Sequence, residues 1–205
     1  MLALKDVTIE TRQPILNNFS FNFQLQKTYG LIAPNGSGKT TLFRSIMQLI
    51  PSTKGMYTID KKPISTQLKR VFYFETSNWF DGNLSGWDYL LFVKSLWKSS
   101  VDVQKLVQDW QMSEYVKLPI KKYSLGMKQR LLIALYEVSD AKYLLMDEIT
   151  NGLDEKNREK VFSKIRQLVD SGKMILISSH YKEDLETVCD YELFLENNTM
   201  VVKEV

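Results

Sequence analysis

The chain has 205 residues, 44% of them hydrophobic and 25% charged, with a formal net charge of +3. That is long enough for one well-buried core, or for a core with a modest inserted subdomain, and too mildly charged to argue for a nucleic-acid partner. The single cysteine, Cys189, excludes an internal disulfide and a cysteine metal cluster, and no apolar run approaches the roughly 18 residues of a membrane span, so direct membrane insertion is not expected.

Leu2 to Ile9 and Ile15 to Leu25 alternate apolar and polar residues, most clearly at Phe19, Phe21 and Phe23, and predict two half-buried antiparallel strands. Tyr29 to Ala33 predicts a short apolar strand. It feeds Ala33-Pro34-Asn35-Gly36-Ser37-Gly38-Lys39-Thr40-Thr41, and the amphipathic Leu42 to Met47 follows in a helix expected to end at Pro51. This is a phosphate-binding loop. Gly36 and Gly38 let successive N–H groups curl around phosphate oxygens, and the helix beginning near Lys39 points its positive end at them. Lys39 is placed to reach the β- and γ-phosphates and Thr40 to ligate Mg²⁺, which makes Pro34, Asn35, Gly36, Ser37, Gly38, Lys39, Thr40 and Thr41 the candidate nucleotide-binding set. The pattern G-x-x-x-x-G-K-[ST] departs only at its first position, Ala33. A left-handed backbone there would cost a residue with a Cβ about 1 kcal/mol.

Gly55 to Ile64 predicts a strand and turn, and Val71 to Phe74 a buried strand. From Trp79 to Glu137 the spacing turns helical, at Trp87–Trp97, Val101–Trp110 and Gly126–Glu137, and 76–137 is read as a helical subdomain inserted into the core. Tyr143 to Asp147 predicts a strand, about Asp154 to Val169 a helix closed by Ser171-Gly172, Met174 to Ser178 a strand, and Glu183 to Val188 a short helix. Tyr191 to Glu196 and Thr199 to Val202 flank Asn197-Asn198 as a hairpin. Strands alternating with helices give an α/β fold with a mostly parallel sheet in a single domain, 1–205. Asp147 and Glu148 leave a buried strand at its C-terminal end, where ligands bind on open parallel sheets. Asp147 is expected to hold Mg²⁺ opposite Thr40, and Glu148 to accept a proton from the water that attacks the γ-phosphate.

A third element, Tyr123-Ser124-Leu125-Gly126-Met127-Lys128-Gln129-Arg130, is a small-residue turn opening a helix. It resembles the signature motif of ATP-binding cassette (ABC) ATPases, whose commonest form is L-S-G-G-Q. The S-x-G-M-K-Q-R variant looks like that of bacterial exporters of the drug, antibiotic and bacteriocin-immunity type. The resemblance spans nearly the whole chain: Asp147 to Asp154 is similar to the stretch from Walker B into the D-loop, and His180 follows the strand end where the family's switch histidine sits. It implies a P-loop NTPase core of the ABC ATPase type with an N-terminal antiparallel β part and the inserted helical subdomain. It also implies ATP with Mg²⁺, and two subunits paired head to tail, the second being another copy or a homologous ATPase subunit. In that pairing Ser124 and the Gly126 N–H meet the γ-phosphate bound by the opposite loop, His180 contacts the same phosphate, and Asp154 links the two sites.

Departures from the family pattern bear on the site. Leu125 replaces the signature's first glycine, Met127 its glutamine, and Ile149 the proline after the catalytic glutamate. Glu75, followed by Thr76, stands where the family has a metal-ligating glutamine, and is expected to ligate Mg²⁺ in its place. The aromatic that stacks on adenine is replaced by Thr11 or Arg12, and the Arg12 guanidinium can stack instead. Trp79 and Phe80 lie where the family docks its membrane subunit. The resulting reading is an ATP-hydrolysing subunit that powers transport, with export favoured, through a separate membrane-spanning chain. It would be cytoplasmic, held at the inner face of the membrane by that chain. The alternatives are a soluble ABC ATPase acting on nucleic acid or the ribosome, and a regulatory nucleotide-binding cassette.

Overall fold

A computed structural model describes residues 1–179 and 185–205. Two sheets meet face to face around the first of two apolar cores. The alternating N-terminal segments form β1 (Leu2–Glu10) and β2 (Pro14–Phe23), which pair antiparallel; β4 (Lys54–Ile59) pairs with the other edge of β1 and with the short β5 (Lys62–Pro63). The second sheet contains β3 (Thr28–Ile32), β6 (Val71–Tyr73), β7 (Tyr143–Asp147), β8 (Met174–Ser179), β9 (Tyr191–Glu196) and β10 (Thr199–Glu204), in the order β10-β9-β3-β8-β7-β6. Every neighbouring pair is parallel except the β9/β10 hairpin. The α/β fold with an antiparallel β part is therefore as the alternation of strands and helices predicts.

Every residue of β7 and β8 is buried, as a central parallel strand covered on both faces requires. Alternate residues of β7 serve different cores: Tyr143 and Leu145 join the antiparallel sheet and Leu42, Phe43 and Ile46 of α1 (Lys39–Ile46), whereas Leu144 and Met146 join the helical side. That side contains α2 (Gly86–Trp97), α3 (Val103–Asp109), α4 (Leu125–Ser139) and α5 (Glu155–Asp170). The helices of 76–137 share one core with β6, β7 and β8.

Two expectations are corrected. The first helix stops at Ile46 rather than at Pro51, because Gln48 turns left-handed (φ +58°) and the Leu49 N–H folds back to the Arg44 carbonyl at 2.8 Å. Phe80 is core rather than docking surface: its ring stacks on Phe74 at 5.0 Å and meets Tyr89 edge-on at 4.9 Å, while Trp79 beside it stays half exposed. The predicted helix at 183–188 lies partly outside the described residues.

Tyr136, fully buried on α4, ties the helical side to the sheet. Its hydroxyl donates toward the carbonyls of Leu145 (2.7 Å) and Phe74 (3.1 Å) and accepts the Phe74 N–H at 3.3 Å. Burial holds its phenol proton well above the ordinary pKa. Phenylalanine would keep the packing and strand these backbone groups, so Tyr136→Phe is expected to lower stability by about 1–3 kcal/mol, read as a lower urea midpoint at unchanged slope.

Candidate active site

The site lies where β3, β7 and β8 end together. Parallel register sets Asp147 beside Ser178 and Ile32 beside Ser179, so the loop after β3 faces the carboxylates that follow β7. In that loop Gly36 (φ +77°) and Gly38 (φ +104°) adopt left-handed backbone, and a Cβ on Gly38 would also run into the Ile15 side chain of β2. Ala33 has no positive φ, so its departure from the usual glycine costs nothing in backbone strain. Asn35, Gly36, Gly38, Lys39, Thr40, Thr41 and Glu148 line a hollow of about 190 Å³.

Lys39 is almost wholly buried, and its ammonium donates to the carbonyls of Ala33 (2.9 Å) and Pro34 (3.2 Å) and lies 3.4 Å from Glu148 Oε1. Thr40 Oγ1 donates to Asp147 Oδ2 at 2.5 Å, and Ser178 Oγ to Asp147 Oδ1 at 2.6 Å. Burial pushes the Asp147 carboxyl above its ordinary pKa, with the Ser178 and Thr40 hydroxyls acting against it. A hydroxyl and a carboxylate converging at a helix N-terminus form the hard-oxygen donor set that suits Mg²⁺. Glu148 sits in left-handed backbone (φ +50°), its N–H donating to the Ser178 carbonyl at 3.2 Å, its Oε2 accepting from Asn151 Nδ2 at 2.9 Å.

Beyond this hollow, Thr40, Asp147 and Glu148 also border a cleft of about 380 Å³, together with Glu75, Gln129 and Asn151 among others. The carboxylate of Glu75, expected as a metal ligand, is already engaged. Arg44 forks onto it, Nε to Oε2 at 2.6 Å and Nη2 to Oε1 at 2.5 Å, and the Tyr73 hydroxyl adds a 3.0 Å bond.

The ABC transporter family profile matches residues 16–151, from β2 to the turn after Glu148. The chain belongs to the ABC transporter family. Lantibiotic transport ATP-binding protein SrtF of Streptococcus pyogenes is 31% identical over 94% of this chain and 85% of its own length. Nod factor export ATP-binding protein I of Burkholderia lata is 28% identical over 92% of this chain and 65% of its own length. A solved ATP-binding subunit of an ABC transporter, 20% identical, superposes with a TM-score of 0.90 over all of this chain and 90% of that one, which is a likeness of fold. The protein is an ATP-hydrolysing subunit of an ABC transporter.

In this ABC subunit the signature stretch divides: Leu125 and Gln129 border the cleft, whereas Ser124 and Gly126 do not. Ser124 caps α4, its hydroxyl accepting the Met127 N–H at 3.3 Å, and a Cβ on Gly126 would meet nothing within 4 Å. Neither residue lines the hollow or the cleft. Leu125, in the place of a signature glycine, is exposed and covers Gly152, whose φ is +76°. Gln129 braces the same turn by donating to the carbonyls of Ile149 (2.8 Å) and Asn151 (3.3 Å). Asp154 caps α5 through the Asn157 N–H (2.8 Å) and Nδ2 (2.9 Å). Arg12 is exposed on the β1–β2 connection, three residues before Ile15. His180 lies outside the described residues.

Sequence reasoning missed Ser178, Arg44, Asn151 and Gln129. Arg44 alone carried a signal, standing one helical turn after Thr40; the other three depend on strand register and loop closure.

Proposed function

We propose that this ATPase subunit drives export through a separate membrane-spanning chain, and that it works as a dimer with a second copy or a homologous ATPase subunit. One observation carries the dimer. Ser124 and Gly126, at the start of α4, line neither the hollow nor the cleft of their own chain, and nothing stands within 4 Å of a Cβ on Gly126, so this helix N-terminus is open to a phosphate held by another subunit. Lys39 exchanges its loop carbonyls for phosphate oxygens, Thr40 and Asp147 hold Mg²⁺, and Glu148 takes the proton of the attacking water. Mg²⁺, when bound, offsets charge on the phosphate oxygens. His180 is assigned to the γ-phosphate, Asp154 to the link between the two sites, and Arg12 to the base.

The names of the two relatives, lantibiotic transport and Nod factor export, support transport rather than action on nucleic acid, and the second supports export. No helix among the described residues is long and apolar enough to cross a membrane, and the subunit is placed at the inner face of the cell membrane by its partner chain. Trp79, half exposed and held edge-on to Phe74 at 5.9 Å, is the proposed anchor for that partner. Trp79→Ala is expected to weaken co-purification with the membrane chain at least tenfold while ATP binding by the isolated subunit is retained. Undiminished complex formation would remove Trp79 from the interface.

A further inference from the structure

The ATP site carries one charge more than its chemistry uses. Asp147 and Glu148 have assigned work, but Glu75 borders the same cleft and its side chain is only 12% exposed. A carboxylate there repels both an entering triphosphate and the two other acids. Arg44 answers that charge. Its planar fork meets both oxygens of Glu75, and this pairing is what holds the Glu75 carboxyl below its ordinary pKa. Tyr73 fixes the carboxylate from a second direction, through its hydroxyl at 3.0 Å. Arg44 stands one helical turn beyond Thr40 on α1, so a single helix presents its N-terminus to the phosphates and its guanidinium to Glu75.

We propose that Arg44 is a positioning residue that holds Glu75 as half of a neutral pair, so that nucleotide and cation entering the cleft meet the charge of two carboxylates rather than three. The inference rests on the ATPase reading and assigns Glu75 a role other than direct metal ligation. Removing the guanidinium leaves a third negative charge beside the site. That carboxylate weakens binding of metal-free ATP and at the same time offers an extra ligand to Mg²⁺, two shifts of opposite sign that a merely structural role does not produce.

The test is equilibrium binding of a fluorescent ATP analogue to the full-length protein, once with EDTA and once titrated with Mg²⁺. It uses Arg44→Met, Glu75→Gln and the double variant, with Arg44→Gln in place of Arg44→Met if the latter fails to fold. Arg44→Met is expected to weaken metal-free binding about tenfold and to lower the Mg²⁺ concentration needed for half-maximal binding. Adding Glu75→Gln should return metal-free binding to within about threefold of the unsubstituted protein, since an amide needs no counter-charge. If the double variant binds as weakly as Arg44→Met, Arg44 acts on the nucleotide itself and the proposal is wrong. A higher Mg²⁺ requirement in the double variant than in the unsubstituted protein overturns it equally, because the local charge is matched there and Glu75 is then a metal ligand. No analogue binding by the unsubstituted protein would remove instead the ATPase reading beneath it.

Discussion

Glu148→Gln is expected to cut ATP turnover by about 10²–10⁴-fold while nucleotide stays bound. The substitution keeps the shape of the side chain and its place at the end of β7, where left-handed backbone and the Ser178 carbonyl hold the main chain. It removes the capacity to accept a proton. It also removes the charge that now lies 3.4 Å from the Lys39 ammonium, which releases that ammonium to the phosphates. If the subunit pairs around ATP as proposed, uncleaved ATP keeps the pair closed, and light scattering should show an ATP-dependent doubling of mass in the variant that the unsubstituted protein shows only transiently. Phosphate release measured at saturating ATP is the primary readout. Turnover within tenfold of the unsubstituted protein would mean that another group accepts the proton.

Lys39→Met should abolish nucleotide binding at ordinary concentrations, a loss of at least about 10²-fold. Each charge-assisted hydrogen bond to a phosphate oxygen contributes about 1.5–3 kcal/mol, and the ammonium is placed to make two. Methionine matches the stem that fills this buried position, so the loop keeps its packing and loses its charge. The carbonyls of Ala33 and Pro34 lose a donor, and stability should fall by only about 1 kcal/mol. Isothermal titration with ATP, set beside a thermal unfolding curve, separates the two effects. Binding retained within threefold would show that Lys39 serves the loop rather than the phosphates.

Much of this site is legible in the amino-acid sequence. The phosphate loop is local: glycines at 36 and 38, a lysine and a threonine lie within one short stretch, and their roles follow from backbone freedom and charge over nine residues. Asp147 and Glu148 are legible for a similar reason, because a run of apolar and aromatic positions leading into two acids describes a buried strand delivering carboxylates at its end. Glu75 is legible as a residue of the nucleotide cleft. Its partner is not, since Arg44 lies 31 residues away and nothing in the spacing says which of many cations will reach it.

What the sequence by itself determined was therefore periodicity and local chemistry: which segments are strands or helices, which face each buries, and which side chains can bind phosphate or a hard cation. Boundaries were weaker. The first helix ended at Ile46 because Gln48 turned left-handed, a choice set by packing that Pro51 did not announce. Trp79 and Phe80 were indistinguishable as neighbours until Phe74 and Tyr89 enclosed one ring and left the other half exposed. Only tertiary structure decided the register that sets Ser178 against Asp147, the fork that neutralises Glu75, and the seat of Leu125 on Gly152. These are contacts between segments far apart in the chain, and their geometry follows from how the sheet and helices close on one another, which no local pattern encodes.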